Sequence, residues 1–341
     1  MKINSKNVIF LSLLLLVTIL ILYKSKKEAS AYQSVDGLIF GTIYHITYQS
    51  EEELKPAIDE LLQEFNHSLS PFDSTSIISK VNRNEEVELD DYFIKTFNRS
   101  MEISKLTEGA FDITVSPFVN AWGFGFKEEV FPDSATIDSM LVYTGYEKIQ
   151  LTDEGRIVKE DPRITLNASA IAKGYAVDVI AGFLTSRGVE NYMIEIGGEI
   201  IAKGMNAKRE RWRIGINKPV EDSLSAKGEL QLVLELADNA VATSGNYRNY
   251  YYRDGIRYAH TINPRTGYPV QHEILSATIV APDCMTADAI ATSCMVMGLG
   301  QSKQLLDSLK GVEGCLIYLN AEGEIEEFFT DGMKDLVLKN R

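Results

Sequence analysis

The sequence predicts an α+β fold, with a two-lobed body of mixed or antiparallel sheets flanked by helices and a hydrophobic helix ahead of it. Three observations point there. Amphipathic segments with helical spacing recur along the chain. Short β-branched or apolar runs lie between them, several in meander-like succession. The 341 residues are 45% apolar and 24% charged, with no 20–50-residue repeat and no long Pro/Ser linker, so any two lobes must be intimate.

The chain opens with Val8 to Tyr23, sixteen residues interrupted only by Ser12 and Thr18. Lys2 and Lys6 precede this run; Lys24, Lys26 and Lys27 follow it. Residues 1–31 therefore read as a signal anchor or a signal peptide. An Ala29-Ser30-Ala31 cleavage-like site suits the peptide. The three lysines before that site are unfavourable for cleavage and favour the anchor, although the run is short of the ~20 residues a membrane helix usually needs. No Cys lies nearby, which excludes a lipid-anchored lipoprotein.

The body, residues 32–335, follows. Residues 36–48 alternate in part and read as a strand or hairpin arm. In Glu51–His67, Leu54, Ile58, Leu61, Leu62 and Phe65 recur at helical spacing, and Ser70-Pro71-Phe72-Asp73 ends the helix. A second helix is expected over Asp91–Leu106. Residues 109–125, rich in Gly and aromatics, read as an ordered loop. Ala170–Arg187 is a third helix, leading into a strand at Tyr192–Ile196. Further strands are expected at Trp212–Asn217, Leu230–Leu236, Leu275–Ala281 and Cys315–Leu319, and helices at Met285–Met297 and Ser302–Leu309. The best candidate for a second, inserted lobe runs from about residue 70 to 160.

Charge narrows the partners. The net charge is −14, but residues 1–31 hold five Lys and one acid. The other 310 residues carry 29 basic and 47 acidic side chains, a net −18. Such a body repels nucleic acid, whose binding needs Lys and Arg to neutralise phosphates. An anionic small ligand would need a local remedy, a metal ion or a helix N-terminus. The three Cys (Cys284, Cys294, Cys315) form no CxxC pair, which excludes a zinc ribbon or thioredoxin-type motif. GxxxxGK, GxGxxG, GxSxG and HExxH are absent. With only four His, a metal here would be a hard cation held by oxygen.

Five features can carry chemistry, and each has a plainer reading. Gly197-Gly198 between two apolar strands allows close approach of a ligand, or makes a tight hairpin. Thr243-Ser244-Gly245 offers hydroxyls and backbone N–H groups to phosphate oxygens, or is a simple turn. His260, just before the Pro264–Gly267 turn, suits a proton acceptor, or is a structural His. Asp288 and Thr292, four apart, share a helix face and suit one Mg2+; alternatively Asp288 is an N-cap and Thr292 bonds a carbonyl one turn back. Ala170-Ile171-Ala172-Lys173-Gly174 opens a helix suited to a pyrophosphate, or packs it closely on a sheet.

The order of the pieces is more specific than any one of them. Gly41-Thr42, Phe111 to Val115, Trp122 to Gly125, Ala170–Gly174 with Tyr175 to Asp178, Gly197-Gly198, Thr243–Gly245, His260–Gly267 and Ala287-Asp288 to Thr292 together resemble the FAD:protein FMN transferase (ApbE-type) family over residues 36–330. The resemblance implies a Mg2+-dependent reaction in which a Thr or Ser hydroxyl of a target flavoprotein attacks the FMN-side phosphorus of FAD and AMP leaves. It implies metal ligation by Asp288, Thr292 and the carbonyl of Ala170, with His260 as the base. It implies FAD contacts at Phe40, Gly41, Thr42, Asp112, Lys173, Asp178, Gly197, Gly198, Thr243, Ser244, Gly245 and Thr266. Acceptors in the family are typically subunits of membrane redox complexes, so the implied workplace is the extracytoplasmic side of the cytoplasmic membrane. The alternatives are an FAD pyrophosphatase giving FMN and AMP, and a flavin-binding protein without turnover. Phe40 stands where a Met is common, Asn167 to Ala170 replaces an Asp-Leu-Gly-Gly/Ala type stretch, and Ala259 replaces a frequent His. None of these removes a ligand oxygen or the base.

Overall fold

The computed structural model describes residues 12–19, 31–125, 131–219, 230–246, 250–253 and 256–338. Its centre is an eight-stranded sheet in the order β1-β2-β5-β6-β9-β12-β13-β14, antiparallel at every pairing. The strands are β1 (Tyr32–Ile39), β2 (Thr42–Gln49), β5 (Tyr192–Ile196), β6 (Glu199–Lys203), β9 (Asn239–Gly245), β12 (Ile274–Ala281), β13 (Glu313–Leu319) and β14 (Ile325–Phe329). Three two-stranded ribbons accompany it: β3 (Ile149–Leu151) with β4 (Ile157–Lys159), β7 (Trp212–Asn217) with β8 (Leu230–Leu236), and β10 (Tyr250–Arg253) with β11 (Ile256–Ala259).

The helices are α1 (Lys55–Leu69), α2 (Ile77–Asn82), α3 (Asp91–Leu106), α4 (Ser116–Ala121), α5 (Ser134–Leu141), α6 (Ala172–Ser186), α7 (Cys284–Met297), α8 (Leu299–Ser308) and α9 (Asp331–Leu336). Helix α1 starts four residues later than its apolar spacing suggests, because Pro56 fits its first turn. Helix α4 interrupts what reads as a loop. Pro117 at its start supplies a helical φ, and Phe118 and Ala121 bury its apolar side. Residues 239–245 form a strand, not a turn: Thr243 and Ser244 pair with Thr278 and Ala277 of β12.

The main core lies on one face of the sheet, where α1, α3, α6 and α7 bury residues such as Phe65, Phe97, Val177 and Ile290. The 77–113 segment contributes to this same core through Ile78, Phe93, Ile103 and Phe111. On the other face, the β7–β8 ribbon and α9 cover Ile200, Val241 and Ile317 with Trp212, Ile214 and Met333. A small satellite of Phe118, Trp122, Ile137 and Ile262 ties α4 and α5 to the segment after β11.

Of the expected N-terminal hydrophobic helix, residues 12–19 are helical and exposed; most of its remainder lies outside the described residues. Among the described residues no helix is long and apolar enough to cross a membrane.

Candidate active site

A cleft of about 1190 Å³ opens where β2, the β5–β6 turn, the ends of β7 and β9, the 110–125 segment, residues 167–173, residues 260–264 and α7 meet. Twelve residues singled out in the sequence line it: Thr42, Asp112, Ala170, Lys173, Gly197, Gly198, Thr243, Ser244, Gly245, His260, Asp288 and Thr292. They come from segments up to 250 positions apart, so the sheet and its helices do the assembling.

The β5–β6 turn shows why two glycines are required. Gly197 and Gly198 have φ of 62° and 104°, the left-handed values of a two-residue hairpin. A Cβ on Gly197 would sit 2.8 Å from Thr42 Cγ2. The turn is thus a tight hairpin that also forms part of the cleft wall.

Helix α7 carries Asp288 into the cleft. Its N-cap is Asp283, whose Oδ1 accepts from the Thr286 N–H at 2.8 Å, so Asp288 is not the cap. Asp288 is buried, and its Oδ2 accepts from the Gly174 N–H of α6 at 3.0 Å. Burial pushes its carboxyl pKa up, while the Lys173 charge pulls it down. One turn on, the Thr292 and Ser244 hydroxyls hydrogen-bond at 3.2 Å. Thr243 is held by Thr278 across the strands at 2.9 Å. Asp288 and Thr292 therefore face the same space, as their spacing predicts.

The start of α6 supports close packing. A Cβ on Gly174 would meet the Cys284 carbonyl oxygen at 2.3 Å. Its N–H is already taken by Asp288, so this end of α6 does not present a fully free set of donors. Lys173 instead reaches Glu199, donating to Oε1 at 2.5 Å. Glu199 follows the Gly197-Gly198 turn and is buried, and among the described residues its Oε2 has no hydrogen-bond partner. Burial first, then the Asp288 charge, pushes its pKa up. The sequence reading gave Glu199 no role, because its partner lies 26 positions away.

Asp112 knits the cleft floor. Its Oδ1 accepts from the N–H and hydroxyl of Thr114, and its Oδ2 from the Tyr146 N–H. Burial raises its pKa against those bonds. His260 stands beyond β11 with its ring 6.4 Å from that of Phe124. The following turn is fixed by N–H groups of Thr266 and Gly267 donating to the Asn263 carbonyl, and by Trp122 Nε1 donating to the Gly267 carbonyl at 2.8 Å.

Four expected contacts lie off the cleft wall. Phe40 and Gly41 form the β1–β2 turn, both at positive φ, and the Phe40 ring packs on Phe65 at 5.7 Å. Thr266 is exposed in the turn after His260. Asp178 faces the protein: its carboxylate accepts from the N–H groups of Cys284 and Met285, both at 2.8 Å, at the start of α7. Burial pushes its pKa up to about 7 despite those bonds. Two further residues line the mouth without a sequence signal: exposed Phe72, and His45, whose Nδ1 is paired with Asp36 across the β1–β2 hairpin. Among the described residues no group of three or more His, Cys, Asp or Glu is placed to hold a metal.

Comparison with known proteins identifies the family. Residues 40–316 match the model of the ApbE family. The chain is 40% identical over 298 residues to the FAD:protein FMN transferase of Vibrio cholerae, covering 84% of this chain and 87% of that protein. It is 36% identical over 281 residues to the Haemophilus influenzae protein of the same name, covering 78% and 80%. In three dimensions it is similar to the flavin transferase ApbE from Vibrio cholerae, with a TM-score of 0.81, 34% identity, and coverage of 90% of this chain and 99% of that one. The flavinyl transferase ApbE of Pseudomonas stutzeri aligns with a TM-score of 0.79 at 28% identity, covering 90% and 96%. The chain belongs to the ApbE family.

Proposed function

We propose that this FAD:protein FMN transferase moves FMN from FAD to a Thr or Ser hydroxyl of a target flavoprotein, releases AMP, and depends on Mg2+. The observation that carries the reading is the convergence of Ala170, Lys173, His260, Asp288 and Thr292 on one cleft. Its volume slightly exceeds the ~300–1,000 Å³ usual for small-molecule sites, which leaves room for a dinucleotide and an incoming side chain.

The residues fit the metal. Asp288 offers a buried carboxylate whose Oδ2 accepts the Gly174 N–H, Thr292 a hydroxyl one turn along, and Ala170 a backbone carbonyl in a residue lining the same cleft. These are hard oxygen donors of the kind Mg2+ accepts alongside waters and phosphates. When bound, Mg2+ supplies neutralisation of the pyrophosphate charge that grows on the leaving side. Lys173 adds a positive charge to the same wall. His260 takes the proton of the acceptor hydroxyl as its oxygen bonds to the FMN-side phosphorus and the phosphoanhydride bond to AMP breaks. An acidic body thereby accepts an anionic dinucleotide.

The reading includes an extracytoplasmic body held at the cytoplasmic membrane by residues 1–31, and acceptors among subunits of membrane redox complexes. The basic, apolar head of the chain supports the first, and the family resemblance the second. Incubating the protein with FAD, Mg2+ and a candidate acceptor tests the chemistry. Equal yields of AMP and protein-bound flavin are expected. AMP with free FMN would make it a pyrophosphatase, and intact FAD would make it a binding protein.

A further inference from the structure

Three acids on the cleft wall are buried: Asp112, Glu199 and Asp288. Asp112 accepts three hydrogen bonds and has a structural reason to be there. Asp288 accepts the Gly174 N–H and is the proposed metal ligand. Glu199 accepts from the Lys173 ammonium, and among the described residues its second oxygen is buried without a hydrogen-bond partner. A half-satisfied carboxylate on the wall of an anion-binding cleft is unfavourable twice over: it is desolvated, and it repels the ligand.

What it does achieve is to fix Lys173. An ammonium on a four-carbon stem is a mobile point charge. Glu199 is the opposite: Ile196 pairs with it across the β5–β6 hairpin, and the Gly197-Gly198 turn sets where it leaves the sheet. The Lys173 side chain is about a third exposed and lines the cleft beside the buried Glu199. We propose that Glu199 is a positioning residue that holds the Lys173 ammonium where the cleft receives the pyrophosphate of FAD. This rests on the flavin transferase reading above.

The test is FAD binding at equilibrium, followed by flavin fluorescence with and without Mg2+, for wild type, Lys173→Met, Glu199→Gln and the double variant. Lys173→Met weakens binding. Glu199→Gln removes a negative charge and still weakens binding, by roughly tenfold, the size of one charge-assisted hydrogen bond. The double variant binds no more weakly than Lys173→Met, since Glu199 acts through Lys173. Glu199→Asp, which keeps the charge but draws it back by one methylene, falls between wild type and Glu199→Gln. Unchanged or tighter binding by Glu199→Gln, or losses that add in the double variant, would overturn the proposal. Thermal unfolding identifies a variant that fails to fold. If Glu199→Gln fails, wild-type affinity in Glu199→Asp overturns the proposal, and weakened affinity supports it. Wild type that does not bind FAD refutes the flavin reading itself. A wild type that binds, with Lys173→Met weakened and Glu199→Gln unaffected, refutes only the role of Glu199.

Discussion

Gly174 donates its backbone N–H to Asp288 Oδ2 at 3.0 Å, across the crossing of α6 and α7. The crossing is this close because residue 174 has no side chain: a Cβ there would sit 2.3 Å from the Cys284 carbonyl oxygen and 2.8 Å from Asp288 Cβ. Backbone carbonyls cannot swing aside, so the helices would have to part. Gly174→Ala is therefore expected to destabilise the protein by about 1–3 kcal/mol, as overpacking does, despite the better helix propensity of Ala. It should also lower Mg2+-dependent turnover by moving Asp288. Chemical denaturation and steady-state rates check both. A variant as stable and as active as wild type would show that the crossing is not tight.

Asp288→Ala should abolish Mg2+-dependent turnover. Asp288→Asn is the more informative partner, because its amide oxygen can still accept the Gly174 N–H and preserve the crossing. We expect Asp288→Asn to unfold near the wild-type temperature and to weaken Mg2+ dependence by at least ~10–100-fold, the usual scale for disturbing a metal site. Mg2+ titrations of turnover measure it. Unchanged Mg2+ dependence would remove Asp288 from the metal site.

His260→Ala should slow FMN transfer by ~10²–10⁴-fold, the usual contribution of a general base. FAD affinity should remain measurable, since the ring sits beside Phe124 on the cleft wall and not in the core. Loss of FAD binding together with loss of fold would make His260 a structural residue.

Asp178 ties stability to pH. Its folded-state carboxyl titrates near 7 because it is buried, above the ordinary value of 3.8. Between those values the folded protein holds a proton that the unfolded chain has released. This contribution to stability is fully present below about pH 4 and is lost as pH rises through 7, with a slope of up to ~1.4 kcal/mol per pH unit. Asp178→Asn should remove that slope. The difference between wild-type and variant unfolding free energies from pH 5 to 8 isolates it, because the other buried acids are common to both. A difference that does not vary with pH would contradict the assignment.

The sequence made some of this legible and hid the rest for definite reasons. Apolar spacing located α3, which buries one face, and the Ala- and Met-rich run located α7, which is buried on nearly every side, each to within a residue. The i, i+4 relation of Asp288 and Thr292 survived into the structure because helix geometry alone places them together. Thr243-Ser244-Gly245 read as a turn, since small polar residues carry little strand signal; its pairing with β12 is decided by a partner more than thirty positions away. Asp178 matched a family position, but its bonds to the Cys284 and Met285 N–H groups depend on how α6 meets α7. Glu199 lay in plain sight after Gly197-Gly198. Only the folded sheet brings it to Lys173 and gives it something to do.

Transfer of FMN to a protein hydroxyl is the activity proposed for the cleft. Mass spectrometry of an acceptor flavoprotein after incubation with FAD, Mg2+ and this protein tests it most directly. FMN in phosphoester linkage on a Thr or Ser is expected, with one AMP released for each modified acceptor and neither product with Asp288→Ala. AMP formed while every acceptor hydroxyl stays unmodified would contradict it.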